Sequence, residues 1–196
     1  DFVPMGYYRI LKEIEDSLPR DAIVVADGAN VMDISRQVVQ TSLPRHRLDA
    51  GVYGNVGVGF PFSMAAHLTN PDKKVLVLQG DWSLGFNGME METVARYKMP
   101  IVYVVFQNGN TESWHRDYIL NQEQPKGYIP ALRYDLMMQA LGGEGETVEN
   151  PTALRQALER GLTKSGPYLI NVIMDPTASR RPQEFFWLAR QGSMRY

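Results

Sequence analysis

The sequence predicts an α/β fold: a doubly wound, mostly parallel sheet with helices on both faces. Three observations carry this. Short apolar runs recur along the chain, namely Ala22-Ile23-Val24-Val25-Ala26, Val75-Leu76-Val77-Leu78 and Ile101-Val102-Tyr103-Val104-Val105-Phe106. Near-continuous apolar runs of this length are the pattern of parallel strands buried on both faces. Segments with apolar residues at helical spacing stand between them. Finally, Gly80-Asp81 closes one run and Asn108-Gly109-Asn110 closes the next. Strand ends of this kind meet at the carboxyl edge of an open parallel sheet, where ligands bind.

The elements follow in order. Tyr7, Ile10, Leu11, Ile14 and Leu18 share one face of a helix predicted over Pro4 to Leu18, and Pro19 ends it. After the first apolar run comes Asp27-Gly28-Ala29-Asn30, then a helix predicted from Met32 to Gln40 with Asn30 as its N-cap. A strand, a small-residue turn and a helix start leave backbone N–H groups free for a phosphate. Arg45, His46 and Arg47 read as a surface charge cluster. The segment Gly51-Val52-Tyr53-Gly54-Asn55-Val56-Gly57-Val58-Gly59 is dense enough in glycine to let backbone approach a ligand closely. It is not the dinucleotide fingerprint, which needs Gly-x-Gly-x-x-Gly after a clear strand. A helix is predicted from Phe60 to Leu68.

Gly85 to Tyr97 reads as the crossover helix between the second and third strands, with Met89, Val94 and Tyr97 toward the sheet. Glu90 and Glu92 are two positions apart, so they do not share a helical face or form a paired-carboxylate site. The polar and aromatic loop Thr111 to Gly127 carries His115, a group able to move protons near neutral pH. His67 reads as structural. A helix over Arg133 to Leu141 stopping at Gly142-Gly143, a strand near Glu146 to Val148, a helix from Pro151 to Leu162 and a strand from Tyr168 to Met174 complete the alternation.

Composition bounds the function. With 196 residues the chain suggests one domain, 1–174, and an appended tail, 175–196. It is 44% hydrophobic and 21% charged, ordinary for a globular domain. A net charge of −2 gives no general attraction to nucleic acid. The absence of cysteine excludes disulfides, thiolate metal sites and a cysteine nucleophile. No apolar run reaches membrane-spanning length and no signal peptide is visible, so no membrane partner and a cytoplasmic location are expected. The chain begins at Asp1 rather than at methionine, which reads as a processed or truncated start.

The chemistry concentrates at the two strand ends. The Asp81 carboxylate, the Asn108 amide oxygen and the Asn110 carbonyl are hard oxygen donors, the set Mg²⁺ takes when it also holds phosphates. Turn punctuation alone explains either Gly-Asp or Asn-Gly. Both together, at the ends of two apolar strands, favour a joint site.

The spacing from Asp81 to Asn108 resembles the thiamine-diphosphate motif, Gly-Asp-Gly followed after a crossover by Asn-Asn. Trp82 stands where that family has a small residue, and Gln107 and Gly109 flank Asn108. Further segments resemble the 2-hydroxyacyl-CoA lyase and oxalyl-CoA decarboxylase branch: Asp27-Gly28-Ala29-Asn30, Leu43-Pro44-Arg45-His46-Arg47-Leu48-Asp49-Ala50-Gly51, and Gly85-Phe86-Asn87-Gly88-Met89-Glu90-Met91-Glu92-Thr93.

The resemblance implies the thiamine-diphosphate-binding fold, with thiamine diphosphate and Mg²⁺ as cofactors. It implies Asp81, Asn108 and Asn110 as metal ligands and Ala29, Asn30, Trp82 and Ser83 beside the diphosphate. Gly54 and Val56 would lie at the aminopyrimidine, with Val56 where a larger aliphatic wedge is usual. It implies a carbon–carbon lyase acting on a 2-hydroxyacyl-CoA to give formyl-CoA and an aldehyde or ketone, the neighbouring reading being oxalyl-CoA decarboxylase. The activating Glu is then expected on a pyrimidine-binding domain or larger subunit, since no segment here matches one. The chain would be the C-terminal part of a longer chain or the small subunit of a split, oligomeric enzyme. Arg180 and Arg181 in the tail are candidates for CoA phosphates, and the tail for a lid. Two readings of other classes stay open: a non-catalytic thiamine-diphosphate-binding module and a flavodoxin-like domain.

Overall fold

The computed structural model describes residues 4–109 and 132–181. Six strands form one sheet in which every pairing is parallel. They are β1 (Ile23–Asp27), β2 (Arg47–Asp49), β3 (Val75–Gly80), β4 (Ile101–Gln107), β5 (Glu144–Val148) and β6 (Tyr168–Ile173), in the spatial order β2-β1-β3-β4-β6-β5. The chain steps from β1 outward to β2, then returns to the other side of β1 for β3 and β4. The sheet therefore changes direction between β1 and β3, the place where open α/β sheets hold ligands beyond their strand ends.

Helices cover both faces, as the sequence predicts. One face carries α1 (Tyr7–Ser17), α2 (Ala29–Val38) and α7 (Pro151–Thr163), which pack Ile10, Ile14, Val31, Ile34, Leu154 and Leu158 onto the even-numbered residues of β3 and β4. The other carries α3 (Gly59–Thr69), α4 (Asp81–Asn87), α5 (Glu90–Arg96) and α6 (Tyr134–Ala140) over the odd-numbered residues. Every residue of β1 and β4 is buried, which accounts for their unbroken apolar runs. Glu13 has a side chain only 3% exposed and accepts from Arg9 on its own helix and Arg155 on α7 at 2.9 and 2.7 Å, tying α1 to α7.

Several local expectations are corrected. The second helix begins at Ala29, with Gly28 as its cap, so Asn30 lies inside the first turn rather than capping it. The crossover begins at Asp81 and is two helices, broken near Gly88, where an added Cβ would lie 3.0 Å from the Leu84 carbonyl. The break shifts the buried face: Val94 packs inward with Met91 and Ala95, whereas Met89 and Tyr97 are exposed. The charge cluster contains a strand. Arg47–Asp49 pairs with β1 at the sheet edge, Asp49 accepts from Arg36 at 3.0 and 2.6 Å, and Arg47 donates to Ser35 at 2.7 Å.

The start of α7 gives a direct test of local structure. Asn150 accepts the Ala153 N–H at 3.0 Å, with Pro151 opening the helix. Asn150→Ala is expected to lower stability by about 1 kcal/mol and Asn150→Gly by only a few tenths. Chemical denaturation of the two variants would show this order, and equal losses would mean that the cap bond contributes nothing.

Candidate functional site

The site is built at the carboxyl edge, where the direction of the sheet changes. β1 ends in Asp27, whose side chain is 1% exposed. Its carboxylate accepts the Gly57 N–H at 3.1 and 3.2 Å, the Gly59 N–H at 2.8 Å and the Gln79 Nε2–H at 3.0 Å. Gln79 Nε2 also donates to Ser83 Oγ at 2.7 Å, and Ser83 donates to the Gly80 carbonyl at 3.0 Å. One buried carboxylate thus fixes the glycine-rich segment against β1 and β3, and through Gln79 the first turn of α4. An added Cβ on Gly59 would stand 2.0 Å from Gln79 Oε1, so this approach requires glycine. Asn87 closes the arrangement from α4 by donating to the Gly57 carbonyl.

A cavity opens beside this network. Its walls are Gly28, Ala29, Asn30 and Val31 at the start of α2, Gly80, Asp81, Trp82 and Ser83 at the start of α4, and Tyr7, Phe106 and Asn108. Gly28 has φ +101° and no side chain caps α2, and Ala29, Asn30 and Val31 of its first turn line the cavity, so a helix start, a setting for an anion, opens there. Asp81 is 4% exposed; it accepts the Trp82 N–H at 2.7 Å and the Asn108 N–H at 3.1 Å. The second bond ties the ends of β3 and β4 together and sets the Asp81 carboxylate beside the Asn108 carboxamide.

Tyr7 is the element that sequence reasoning passed over. It reads as one apolar-face residue of α1, yet its hydroxyl enters this cavity and accepts a hydrogen bond from Asn108 Nδ2 at 2.9 Å. Its ring stacks on Phe106 at 6.0 Å between centroids. Burial pushes the phenol pKa up to about 12, and the negative charge of Asp81 pushes the same way, while hydrogen bonds from Asn30 and Asn108 oppose them. The hydroxyl is therefore neutral across the physiological range. No periodicity or motif distinguishes a tyrosine that fills a core from one that reaches a site.

The structure brings Ala29, Asn30, Asp81, Trp82, Ser83 and Asn108 to one cavity. Gly54 and Val56 lie outside its lining, on the glycine-rich segment that Asp27 holds, with Gly54 exposed at φ +63°. Trp82 leans along α4 onto Phe86, edge to face at 5.4 Å, and remains 44% exposed. Arg180 pairs with Asp33 of α2, and Arg181 lies over the Tyr8 ring at 4.6 Å while its N–H donates to the Tyr8 hydroxyl at 3.0 Å. Neither arginine lines the cavity. Asn110, His115 and residues 182–196 of the tail lie outside the described residues.

The donor set fits a hard divalent cation bound together with a phosphate group. Among the described residues no three His, Cys, Asp or Glu side chains cluster to make an all-protein cage. A carboxylate and a carboxamide at adjacent strand ends match the sparse protein ligation of Mg²⁺ sites that are completed by phosphate oxygens.

Residues 27–172 match the family model described as thiamine pyrophosphate enzyme, C-terminal TPP binding domain. The chain is 39% identical to human 2-hydroxyacyl-CoA lyase 1 over 97% of its own length and 36% of that protein. It is 34% identical to oxalyl-CoA decarboxylase of Escherichia coli, over 91% of this chain and 32% of that protein. The chain thus spans about a third of the length of these curated relatives. In fold it is similar to a thiamine diphosphate-dependent 4-hydroxybenzoylformate decarboxylase of Rhodococcus jostii RHA1. That likeness has a TM-score of 0.78 at 22% identity and covers 89% of this chain and 33% of the other.

Asp27→Asn tests the network that shapes the site. A carboxamide puts an N–H₂ where the carboxylate accepts, so at least one of the donors from Gly57, Gly59 and Gln79 loses its partner. Each buried donor left unpaired costs about 1–3 kcal/mol. A loss of about 2–3 kcal/mol is expected, with faster hydrogen exchange at Gly57 and Gly59. Unchanged protection of those two amides would show that the carboxylate does not hold the segment.

Proposed function

We infer, for a chain that belongs to the thiamine pyrophosphate enzymes as their C-terminal TPP binding domain, that it holds the diphosphate and Mg²⁺ of a carbon–carbon lyase. The enzyme acts on a 2-hydroxyacyl-CoA and releases formyl-CoA and an aldehyde or ketone. One observation carries the site reading: Asp81 and Asn108, from two different strand ends, share a cavity with the uncapped start of α2. The similarity to 2-hydroxyacyl-CoA lyase 1 over nearly the whole chain supports the choice of substrate.

Bound thiamine diphosphate supplies a carbon nucleophile at its thiazolium ring. This chain's residues bind and orient it. Asp81 and Asn108 hold Mg²⁺, with the Asn110 carbonyl as a third ligand. The N–H groups of Ala29 and Asn30 and the first turn of α4 at Trp82 and Ser83 receive the diphosphate. Gly54 and Val56, on the segment anchored by Asp27, meet the aminopyrimidine. The Glu that activates the cofactor comes from a pyrimidine-binding domain outside this chain. In this reading Arg180 and Arg181 reach CoA phosphates only by giving up Asp33 and the Tyr8 ring.

Oxalyl-CoA decarboxylase is the second reading, favoured by the 34% identity over 91% of the chain. The full-length protein with Mg²⁺ and thiamine diphosphate separates the two. A lyase converts a 2-hydroxyacyl-CoA to formyl-CoA and an aldehyde or ketone; a decarboxylase converts oxalyl-CoA to formyl-CoA and CO₂. Turnover of oxalyl-CoA alone overturns the lyase. For the site itself, Asp81→Ala is expected to weaken Mg²⁺-dependent cofactor binding by about two orders of magnitude, or about 3 kcal/mol. Asn108→Ala is expected to weaken it by about one order. Calorimetric titration gives both values, and wild-type affinity in both variants would refute the metal assignment.

A further inference from the structure

Trp82 is a large apolar residue that the fold leaves 44% exposed, although it lines the cavity. Its ring meets Phe86 edge to face, with centroids 5.4 Å apart. A contact of that kind takes at most one face of the indole. A ring of this size, half open to solvent at a cavity wall, is a surface on which a ligand can rest.

Its neighbours say which ligand. Trp82 belongs to two groups of residues at once. Ala29, Asn30 and Asp81 line the same cavity. Phe86, against which Trp82 leans, packs on the glycine-rich segment: an added Cβ on Gly57 would lie 2.8 Å from Phe86 Cβ, and Asn87 donates to the Gly57 carbonyl. Under the proposed function the first group holds the diphosphate and Mg²⁺, and the glycine-rich segment meets the aminopyrimidine. In the cofactor the thiazolium ring joins those two ends, so it falls between the two groups, where Trp82 stands. That ring is a cation. Asp81 is the one anionic side chain among the described residues that line the cavity, and in this reading it serves the metal. A tryptophan face is the best aromatic partner for a cation that has no carboxylate beside it. We propose that Trp82 binds the cofactor through its ring, the indole face receiving the thiazolium cation. This rests on the cofactor reading given under the proposed function.

The test is calorimetric titration of the full-length protein, with Mg²⁺ present, using two ligands: thiamine diphosphate and the analogue whose thiazolium is replaced by a neutral thiophene. Trp82→Leu keeps an apolar side chain and removes the π face. It is expected to weaken thiamine diphosphate about tenfold more than it weakens the analogue, the size of a partly desolvated cation–π contact. Trp82→Phe keeps a poorer π face and is expected to fall between the wild type and the leucine variant. Lost apolar area, a lost indole N–H bond or a change in cavity shape would weaken both ligands alike, so the comparison isolates the charge of the ring. Circular dichroism of each variant checks that the fold is kept. Equal losses for the two ligands, a larger loss for the analogue, or no loss for either would overturn the proposal. Binding of neither ligand by the wild-type protein would instead overturn the cofactor reading on which it stands.

Discussion

The buried carboxylate of Asp27 is the contact on which the rest of the site depends. An isolated charge taken out of water costs far more than a domain's net stability, so it persists only where donors surround it. Here the donors are two backbone N–H groups of the glycine-rich segment and the amide of Gln79. The need to satisfy one charge therefore orders a loop thirty residues away, aligns two neighbouring strand ends and, through Ser83, sets the angle at which α4 leaves the sheet. Glycine at 59 follows from the same contact, since nothing larger fits beside Gln79.

The two faces of the sheet reach the carboxyl edge with different chemistry. On the face under α1, α2 and α7, the apolar rows end in Phe106 and then Asn108, with Tyr7 above them. On the other face, Asp27, Gln79 and Gln107 are buried polar residues at or near the ends of β1, β3 and β4, and Asn171 is another on β6, across Val105 from Gln79. Both amide atoms of Gln107, the Gln79 oxygen and the Asn171 oxygen have no hydrogen-bond partner. Each such group costs about 1–3 kcal/mol. The apolar rows below this edge supply the stability of the sheet.

How far this was legible in the sequence depends on the range of each interaction. The strands are legible because burial on both faces leaves a local, continuous apolar signature. Asp81 and Asn108 are legible because they sit immediately beyond two such runs. The α5 face is misread because a helix period is reliable only while the helix is unbroken, and the interruption near Gly88 turns Met89 and Tyr97 outward. Asp27 looks like turn punctuation, since its partners at 57, 59 and 79 are distant in sequence. Tyr7 is hidden more deeply. Its ring obeys the helical apolar pattern, and only its last atom belongs to the site.

Under the proposed function, the charge balance of the cavity couples the binding of a cation to that of an anion. Asp81 is the one charged side chain among the described residues that line it. A helix N-terminus presents about half a positive charge. A unit negative charge at 5 Å, in a medium of effective dielectric constant about 20, acts with roughly 3 kcal/mol per unit charge. Alone, then, the start of α2 does not offset the repulsion between Asp81 and a multiply charged diphosphate. A divalent cation on Asp81 and Asn108 reverses the sign of the local charge, and the same helix start becomes a second attraction instead of a partial compensation. Under the proposed function, cofactor and metal are each poor ligands alone and good ligands together.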